Sequence, residues 1–119
     1  MRQPRQYVVT IVVSLSLWLL TAFGQGAIAQ AAESSPALGA TIFTQNCAAC
    51  HAGGGNIVRR GKTLKLKALQ RNHVDTEAAI AQLVTQGKGN MSAYGEKLTP
   101  EEIAAVSAYV LAQAMANWP

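Results

Sequence analysis

Hydrophobic and polar positions along most of this chain follow the spacing of helices, after one long apolar run near its start. The spacing predicts a helix from about Ala37, a short weak helix over 62–69, a third over 77–85 and a longer one from 100 to about 116. The apolar residues predicted to face inward recur three or four positions apart; they are Leu38, Ile42, Phe43, Leu64, Leu66, Leu69, Ile80, Leu83, Val84, Ile103, Val106, Tyr109 and Val110. Because no stretch shows the alternation of a half-buried strand, the domain is predicted to be all-α.

Two of these helices begin with recognisable capping residues. Thr99 can cap the last helix, with Pro100 at its first position and Glu102 placed to close a capping box. Either Asp75 or Thr76 can cap the third helix. These signals fix the predicted starts of both helices more sharply than periodicity alone.

The apolar run near the start predicts a secretory signal peptide. Two arginines precede residues 7–23, which carry no charge, and small residues follow. The small-x-small pattern at 27–29 predicts cleavage after residue 29, although 29–31 fits nearly as well. The predicted organisation is a cleaved leader, 1–29, and a single domain, 30–119. An uncleaved membrane anchor is the alternative, because 17 residues are at the short limit for spanning a bilayer.

Removal of the leader changes the charge of the chain. The remaining 90 residues keep eight Lys and Arg and six Asp and Glu, for a net charge of +2. This balance gives no support to a nucleic-acid-binding function. A mature chain of this size is one small domain.

The candidate chemistry is concentrated in one short motif, Cys47-Ala48-Ala49-Cys50-His51. The C-x-x-C-H pattern attaches a c-type haem: two thioether bonds hold the porphyrin and the histidine ligates the iron. One helical turn brings residues three apart onto one face, so both sulfurs can reach one porphyrin edge. A thiol–disulfide redox motif would need a βαβ context, and a structural zinc site would need a second pair of ligands. Haem attachment is therefore the preferred interpretation, and it agrees with export.

A sixth iron ligand must come from Met91, Met115 or His73, because Met1 is lost with the leader. Met91 is preferred because it lies in a glycine-bounded loop, where the backbone can bring a thioether over the ring. His73 is its main rival, since it also lies between helices. Met115 is near the end of the last helix, where a methionine usually packs.

Several segments together resemble the cytochrome c6 family of cyanobacteria and algae. They are the 47–51 motif, Gly53-Gly54-Gly55-Asn56, Lys62-Thr63-Leu64, Gly87-Lys88-Gly89-Asn90-Met91-Ser92-Ala93-Tyr94, Lys97-Leu98-Thr99 and Ala108-Tyr109-Val110. The resemblance implies a small class I cytochrome c fold, with about four helices around one covalently bound haem c. It implies that Cys47 and Cys50 bind the haem and that His51 and Met91 are the axial ligands. It also implies that the face formed by Gly39 and Phe43 crosses the last helix near Tyr109.

The same resemblance implies a function. Members carry single electrons in the thylakoid lumen, or periplasm, from the cytochrome b6f complex to photosystem I, and some to a terminal oxidase. The expected protein is a monomer that is not membrane-inserted and is not an enzyme, because an iron with both axial positions filled has no place for substrate. A haem-based small-ligand sensor and a bound redox subunit of a larger complex are the alternatives.

Two residues depart from the family pattern near the expected haem. Typical members have proline after the axial methionine, where this chain has Ser92. Many have glutamine in the helix before the ligand loop, where this chain has Leu83. These differences indicate a divergent paralogue with its own potential or partner.

Overall fold

The computed structural model describes residues 36–119, and every regular element in that range is helical. The helices are α1 (Pro36–Asn46), α2 (Ala48–His51), a 3₁₀ turn (Ala52–Gly54), α3 (Leu66–Arg71), α4 (Glu77–Gln86) and α5 (Pro100–Met115). Within this range β-pairing is limited to an isolated bridge between Lys88 and Met91. The all-α prediction is thus confirmed, while the predicted leader and its cleavage point lie outside the described residues. No helix in 36–119 combines the length and apolarity needed to cross a membrane.

The first and last helices cross at a glycine. Gly39 is buried, and a Cβ added there would lie 2.7 Å from the Cβ of Tyr109 and would also meet the Ala105 carbonyl oxygen. Contacts this short require a residue without a side chain. Phe43, one turn further along α1, packs against Tyr109 in a tilted arrangement with ring centroids 5.4 Å apart. The predicted crossing of α1 and α5 is therefore present.

Helix α5 begins with the predicted capping box. The Glu102 backbone N–H donates to Thr99 Oγ1 at 3.2 Å, and the Thr99 N–H donates to Glu102 Oε2 at 2.8 Å. At the start of α4, the Ala79 N–H donates to Thr76 Oγ1 at 3.2 Å. Thr76 is therefore the cap, of the two residues that the sequence left open.

The core lies where α1, α4 and α5 meet, with a contribution from α3. Its buried members are Ile42, Phe43, Leu69, Ile80, Val84, Ile103, Val106, Val110 and Ala114. One predicted core residue is misplaced: Leu38 is 37% exposed. The buried face of α1 starts instead at Gly39, where α5 crosses the helix.

The second predicted helix, over 62–69, is also displaced. Helix α3 starts at Leu66 and continues to Arg71. The residues before it are held by the preceding loop, because the Leu64 N–H donates to the Gly54 carbonyl at 2.8 Å and the Lys62 N–H to the Arg59 carbonyl at 2.8 Å. Backbone groups used in this way are not available for an earlier helical turn.

Candidate haem site

A cavity of about 300 Å³ opens between the helices, and all four predicted site residues line it. Cys47, Cys50 and His51 reach the cavity from one turn of the chain. Met91 also lines it, although this residue is 40 positions further along the chain than His51. Most of the remaining lining is apolar, with side chains such as Phe43 and Val106. The fold therefore brings together residues that the sequence could only associate by their chemistry.

The two cysteines and the histidine share one tight turn. The Cys47 N–H donates to the Phe43 carbonyl at 2.8 Å, and the His51 N–H donates to the Cys47 carbonyl at 2.9 Å. Cys47 is half-buried and Cys50 is exposed. Burial raises the pKa of the Cys47 thiol in the chain before any thioether forms. The two sulfurs thus differ in environment although they lie on the same edge of the cavity.

The tautomer of His51 is set by its backbone partner. Its Nδ1 lies 2.9 Å from the carbonyl oxygen of Gly55, and because a carbonyl can only accept, Nδ1 carries the proton and donates. This leaves Nε2 unprotonated and available to a metal. The turn that presents the Gly55 carbonyl depends on Gly53 and Gly54, whose φ values are +55° and +70°.

The loop that carries Met91 is folded back onto the end of α4. The Lys88 N–H donates to the Met91 carbonyl at 3.0 Å, and the Met91 N–H donates to the Lys88 carbonyl at 3.1 Å. Gly87 has a φ of +68°, and a Cβ there would lie 2.5 Å from the Met91 carbonyl oxygen. A side chain at Gly87 would therefore displace the loop that positions Met91.

A hydrogen bond missed by sequence reasoning joins the two sides of the site. The Tyr94 hydroxyl donates to the Asn46 carbonyl at 3.0 Å, so the Met91 loop is tied to the residue immediately before Cys47. Tyr94 belongs to a segment that resembled the family, but its partner is 48 residues away. No local pattern could have found that pairing.

Trp118 is a second residue that sequence reasoning missed. Its Nε1 donates to the Leu64 carbonyl at 3.0 Å, and its ring lies 5.2 Å from that of Phe43, centroid to centroid. A Cβ on Gly54 would lie 2.5 Å from the Trp118 ring. The tail of the chain therefore packs directly on the glycine turn that follows His51. A tryptophan three residues after the end of the last helix was the available signal.

The two rival ligand candidates lie elsewhere. His73 is exposed, adopts a φ of +56° and does not line the cavity. Met115 is 70% exposed and does not line the cavity either. Across residues 36–119 there is also no group of three or more His, Cys, Asp or Glu side chains close enough to hold a metal ion.

Both residues that depart from the family pattern line the cavity. Leu83 reaches it from α4, and Ser92 reaches it from the loop directly after Met91. This placement is consistent with the expectation that Leu83 and Ser92 lie beside the cofactor.

The donor set of the cavity fits a covalently attached haem. Two thiols and an imidazole come from one turn, a thioether comes from the Met91 loop, and the walls are largely apolar. The imidazole offers its Nε2, because Nδ1 donates to the Gly55 carbonyl. Arg59 and Lys62 add positive charge to the lining, which suits the two carboxylates of a haem.

Comparisons with known proteins agree with this chemistry. The family described as "Cytochrome C oxidase, cbb3-type, subunit III" matches residues 34–110. Cytochrome c6 of Aphanizomenon flos-aquae is 51% identical over 80 residues, which cover 67% of this chain and 92% of the relative. Cytochrome c6 of Thermosynechococcus vestitus is 43% identical over 107 residues, covering 90% and 92% of the two chains. The crystal structure of cytochrome c6C from Synechococcus sp. PCC 7002 superposes with a TM-score of 0.67 at 62% identity, over 68% of this chain and 99% of that one.

The fold and the cavity define a class I cytochrome c domain. Within that class, the chain belongs to the cytochrome c6 family. It is accordingly a cytochrome c6-like electron carrier with one covalently attached haem c, and the predictions of fold, family and cofactor are confirmed.

Proposed function

We propose that Cys47 and Cys50 hold the haem through thioether bonds, that His51 and Met91 are its axial ligands, and that the protein passes single electrons from the cytochrome b6f complex to photosystem I. The observation that carries the proposal is the convergence of these four side chains on one cavity, with His51 Nε2 left free by the hydrogen bond from Nδ1 to Gly55. The family's role supplies the partners.

The chain's own residues have three tasks in this scheme. The Gly55 carbonyl holds the His51 ring in one orientation, and the Lys88–Met91 hydrogen bonds fix the backbone that carries the thioether. Apolar walls limit the access of water to the site. A haem held there would supply the one-electron couple. His51 and Met91 would leave its iron no free position for a substrate, so the proposed activity is outer-sphere electron transfer and not enzymatic catalysis.

The proposed location is the thylakoid lumen, or the periplasm, after removal of residues 1–29. There the mature protein, 30–119, acts as a monomer without membrane insertion. Leu83 and Ser92 at the cavity support the further proposal that it is a divergent paralogue. Its 62% identity to a cytochrome c6C is consistent with that subtype.

One observation favours a second candidate function. The description of the family that matches residues 34–110 names an oxidase subunit. This description suggests that the protein delivers electrons to a terminal oxidase or is a bound subunit of an oxidase complex. The two cytochromes c6 reported above, from Aphanizomenon flos-aquae and Thermosynechococcus vestitus, are each matched over 92% of their own length, which supports the separate carrier.

Spectroscopy combined with flash kinetics tests the proposal. The holoprotein, expressed as the full precursor with haem attachment, should show in its oxidised form the weak red absorption band of iron–sulfur ligation, and no binding of carbon monoxide when reduced. The reduced protein should re-reduce flash-oxidised photosystem I particles in a second-order reaction. Absence of the band together with carbon monoxide binding would favour the sensor. Electron transfer to a terminal oxidase but not to photosystem I would replace the proposed partner.

A further inference from the structure

The first helix ends on a carbonyl group that takes its partner from far along the chain. In a continued helix the Asn46 carbonyl would accept from the Cys50 N–H, but that N–H donates to the Cys47 carbonyl at 3.1 Å. The break between α1 and α2 at Cys47 therefore leaves the last carbonyl of α1 without its helical partner. The Tyr94 hydroxyl donates to it at 3.0 Å, and both Asn46 and Tyr94 line the cavity.

The backbone of Tyr94 is itself held in place. Its N–H donates to the Val84 carbonyl on α4 at 2.9 Å, and its carbonyl accepts from the N–H groups of Lys97 and Leu98, both at 2.9 Å. The side chain is half-buried. Because the backbone is already fixed, the hydroxyl is directed at Asn46 with little further loss of conformational entropy.

Met91 lies in the segment that this hydrogen bond attaches. The Met91 loop, 87–95, has two bonds between Lys88 and Met91, which fix its shape but do not join it to the haem-attachment turn. Within the described residues, the bond from Tyr94 to Asn46 is the one hydrogen bond between this loop and the segment 36–56. The side chain of a single residue therefore links the loop to the start of the C-x-x-C-H motif.

The two proposed axial ligands come from the two segments that the bond connects. His51 follows Asn46 by five residues, and Met91 precedes Tyr94 by three. A thioether favours ferrous over ferric iron, so nitrogen ligands from solution compete for its place in the oxidised protein whenever the loop opens. Opening would separate Tyr94 from Asn46, and the hydrogen bond opposes it.

We propose that Tyr94 is a positioning residue for the axial thioether: its hydrogen bond to Asn46 holds the Met91 loop closed and so keeps competing nitrogen ligands from the iron. The inference rests on the proposed ligation by Met91, and it is independent of the electron-transfer partner. Phenylalanine would supply the same ring contacts, so the hydroxyl alone carries the proposal.

Imidazole binding to the oxidised holoprotein tests the proposal. Tyr94→Phe removes the hydroxyl and keeps the ring, and loss of the weak red band of iron–sulfur ligation reports displacement of the thioether. The dissociation constant for imidazole should fall about fivefold relative to wild type, because roughly 1 kcal/mol, the net contribution of an ordinary hydrogen bond, would no longer oppose opening. An unchanged dissociation constant would overturn the proposal.

Two variants serve as controls for this measurement. Tyr109→Phe removes the hydroxyl of a half-buried tyrosine that packs against Phe43 outside the cavity lining, and it should leave imidazole binding unchanged. Ile103→Val shortens a buried core residue outside the lining and should lower global stability, which denaturant unfolding of each holoprotein measures. If Ile103→Val tightened imidazole binding as much as Tyr94→Phe, the hydroxyl would act only through overall stability, and the proposal would be wrong.

Hydrogen exchange tests whether the effect runs through the loop. The N–H groups of residues 94 and 95 donate to the Val84 and Thr85 carbonyls, and in Tyr94→Phe both should exchange about fivefold faster, while amides within α5 keep their rates. Tighter imidazole binding with unchanged exchange at 94 and 95 would mean that the hydroxyl acts inside the cavity and not on the loop, which contradicts the proposal.

Wild type alone supplies a further arm, in case Tyr94→Phe does not yield holoprotein. Saturating imidazole should speed exchange at residues 94 and 95, because displacement of the thioether requires the loop to open; unchanged exchange in wild type with imidazole bound would overturn the proposal. Absence of the red band from wild type before imidazole is added would refute ligation by Met91 itself. That result separates failure of the proposed ligation from failure of the role given to Tyr94, which is judged with the band present.

Discussion

His51 has one nitrogen left for coordination, because Nδ1 is committed to the Gly55 carbonyl at 2.9 Å. That commitment depends on a turn whose two glycines, Gly53 and Gly54, have positive φ. A side chain at Gly54 would also collide with Trp118. Gly54 therefore both allows the turn and leaves space for Trp118 to pack on it. The orientation of one imidazole is thus controlled by backbone that carries no reactive group.

Met91, which also lines the cavity, can be tested by truncation. Met91→Ala should leave the haem attached through the cysteines, lower the midpoint potential by tens of millivolts or more and allow carbon monoxide to bind. The thioether favours the ferrous state, and axial ligands set haem potentials over a range of about 0.8 V. Redox titration with spectra measures the change. Met115→Ala, at a residue 70% exposed, is the control and should keep the wild-type potential. A wild-type potential in Met91→Ala would return Met115 and His73 to consideration.

Leu83 can be tested by restoring the family's polar group. Because Leu83 lines the cavity, Leu83→Gln should place an amide beside the haem and shift the midpoint potential by roughly tens of millivolts, through hydrogen bonding and local polarity. The same substitution at Leu38, which is 37% exposed on α1, should leave the potential unchanged. An equal potential in Leu83→Gln and wild type would mean that this side chain does not influence the cofactor.

At the scale of elements, the α1–α5 crossing joins the part of the chain that precedes the motif to the last helix. Gly39→Ala should lower the free energy of unfolding by about 1–3 kcal/mol, because its Cβ would meet the Ala105 carbonyl and Tyr109. The clash should outweigh the gain of under about 1 kcal/mol that alanine brings to a helix. Denaturant unfolding of the holoprotein measures the difference. Gly61→Ala, where a new Cβ meets nothing within 4 Å, is the matched control. Equal stability of Gly39→Ala and wild type would show that the helices can separate slightly without cost.

The elements also show which features were readable in the sequence. Helix α5 was predicted to within one residue because Thr99 and Glu102 are local signals, and α4 was predicted equally well. Helix α3 was displaced because Leu64 is paired with Gly54, a partner ten residues earlier that no helical pattern includes. The four candidate haem-binding residues of the cavity, Cys47, Cys50, His51 and Met91, could be named from the motif and the family resemblance. The bond from Tyr94 to Asn46 could not, because it exists only once the chain has folded.

At the scale of the whole molecule, charge is divided between two parts of the chain. Among Asp, Glu, Lys and Arg, the segment 56–74 contains only lysines and arginines, whereas 75–119 has more acidic than basic residues. Lys97 belongs to the second part, and its Nζ lies 5.4 Å from the centroid of the Tyr94 ring. Its charge is therefore placed beside the Met91 loop, which carries Lys88, the other cation of the segment 75–119.

Lys97 matches the basic residue of the family's G-x-[RK]-L segment. We therefore expect it to be the rim charge of a docking face formed by 91–94 and 53–55. Lys97→Glu should slow electron transfer to an acidic-faced partner at low salt. The effect should fade as the Debye length shrinks to roughly 10 Å at 0.1 M, because exposed charges act through steering. The midpoint potential should be nearly unchanged, since Lys97 is exposed and does not line the cavity.

Flash kinetics over a salt series measures the effect of Lys97→Glu, with Lys97→Arg as the variant that keeps the charge and should keep the rate. A low-salt rate equal to wild type in Lys97→Glu would remove this residue from the docking face. If the rate of Lys97→Glu were equally low at every salt concentration, the substitution would act through local contact with the partner and not through long-range attraction, because salt screens only the latter.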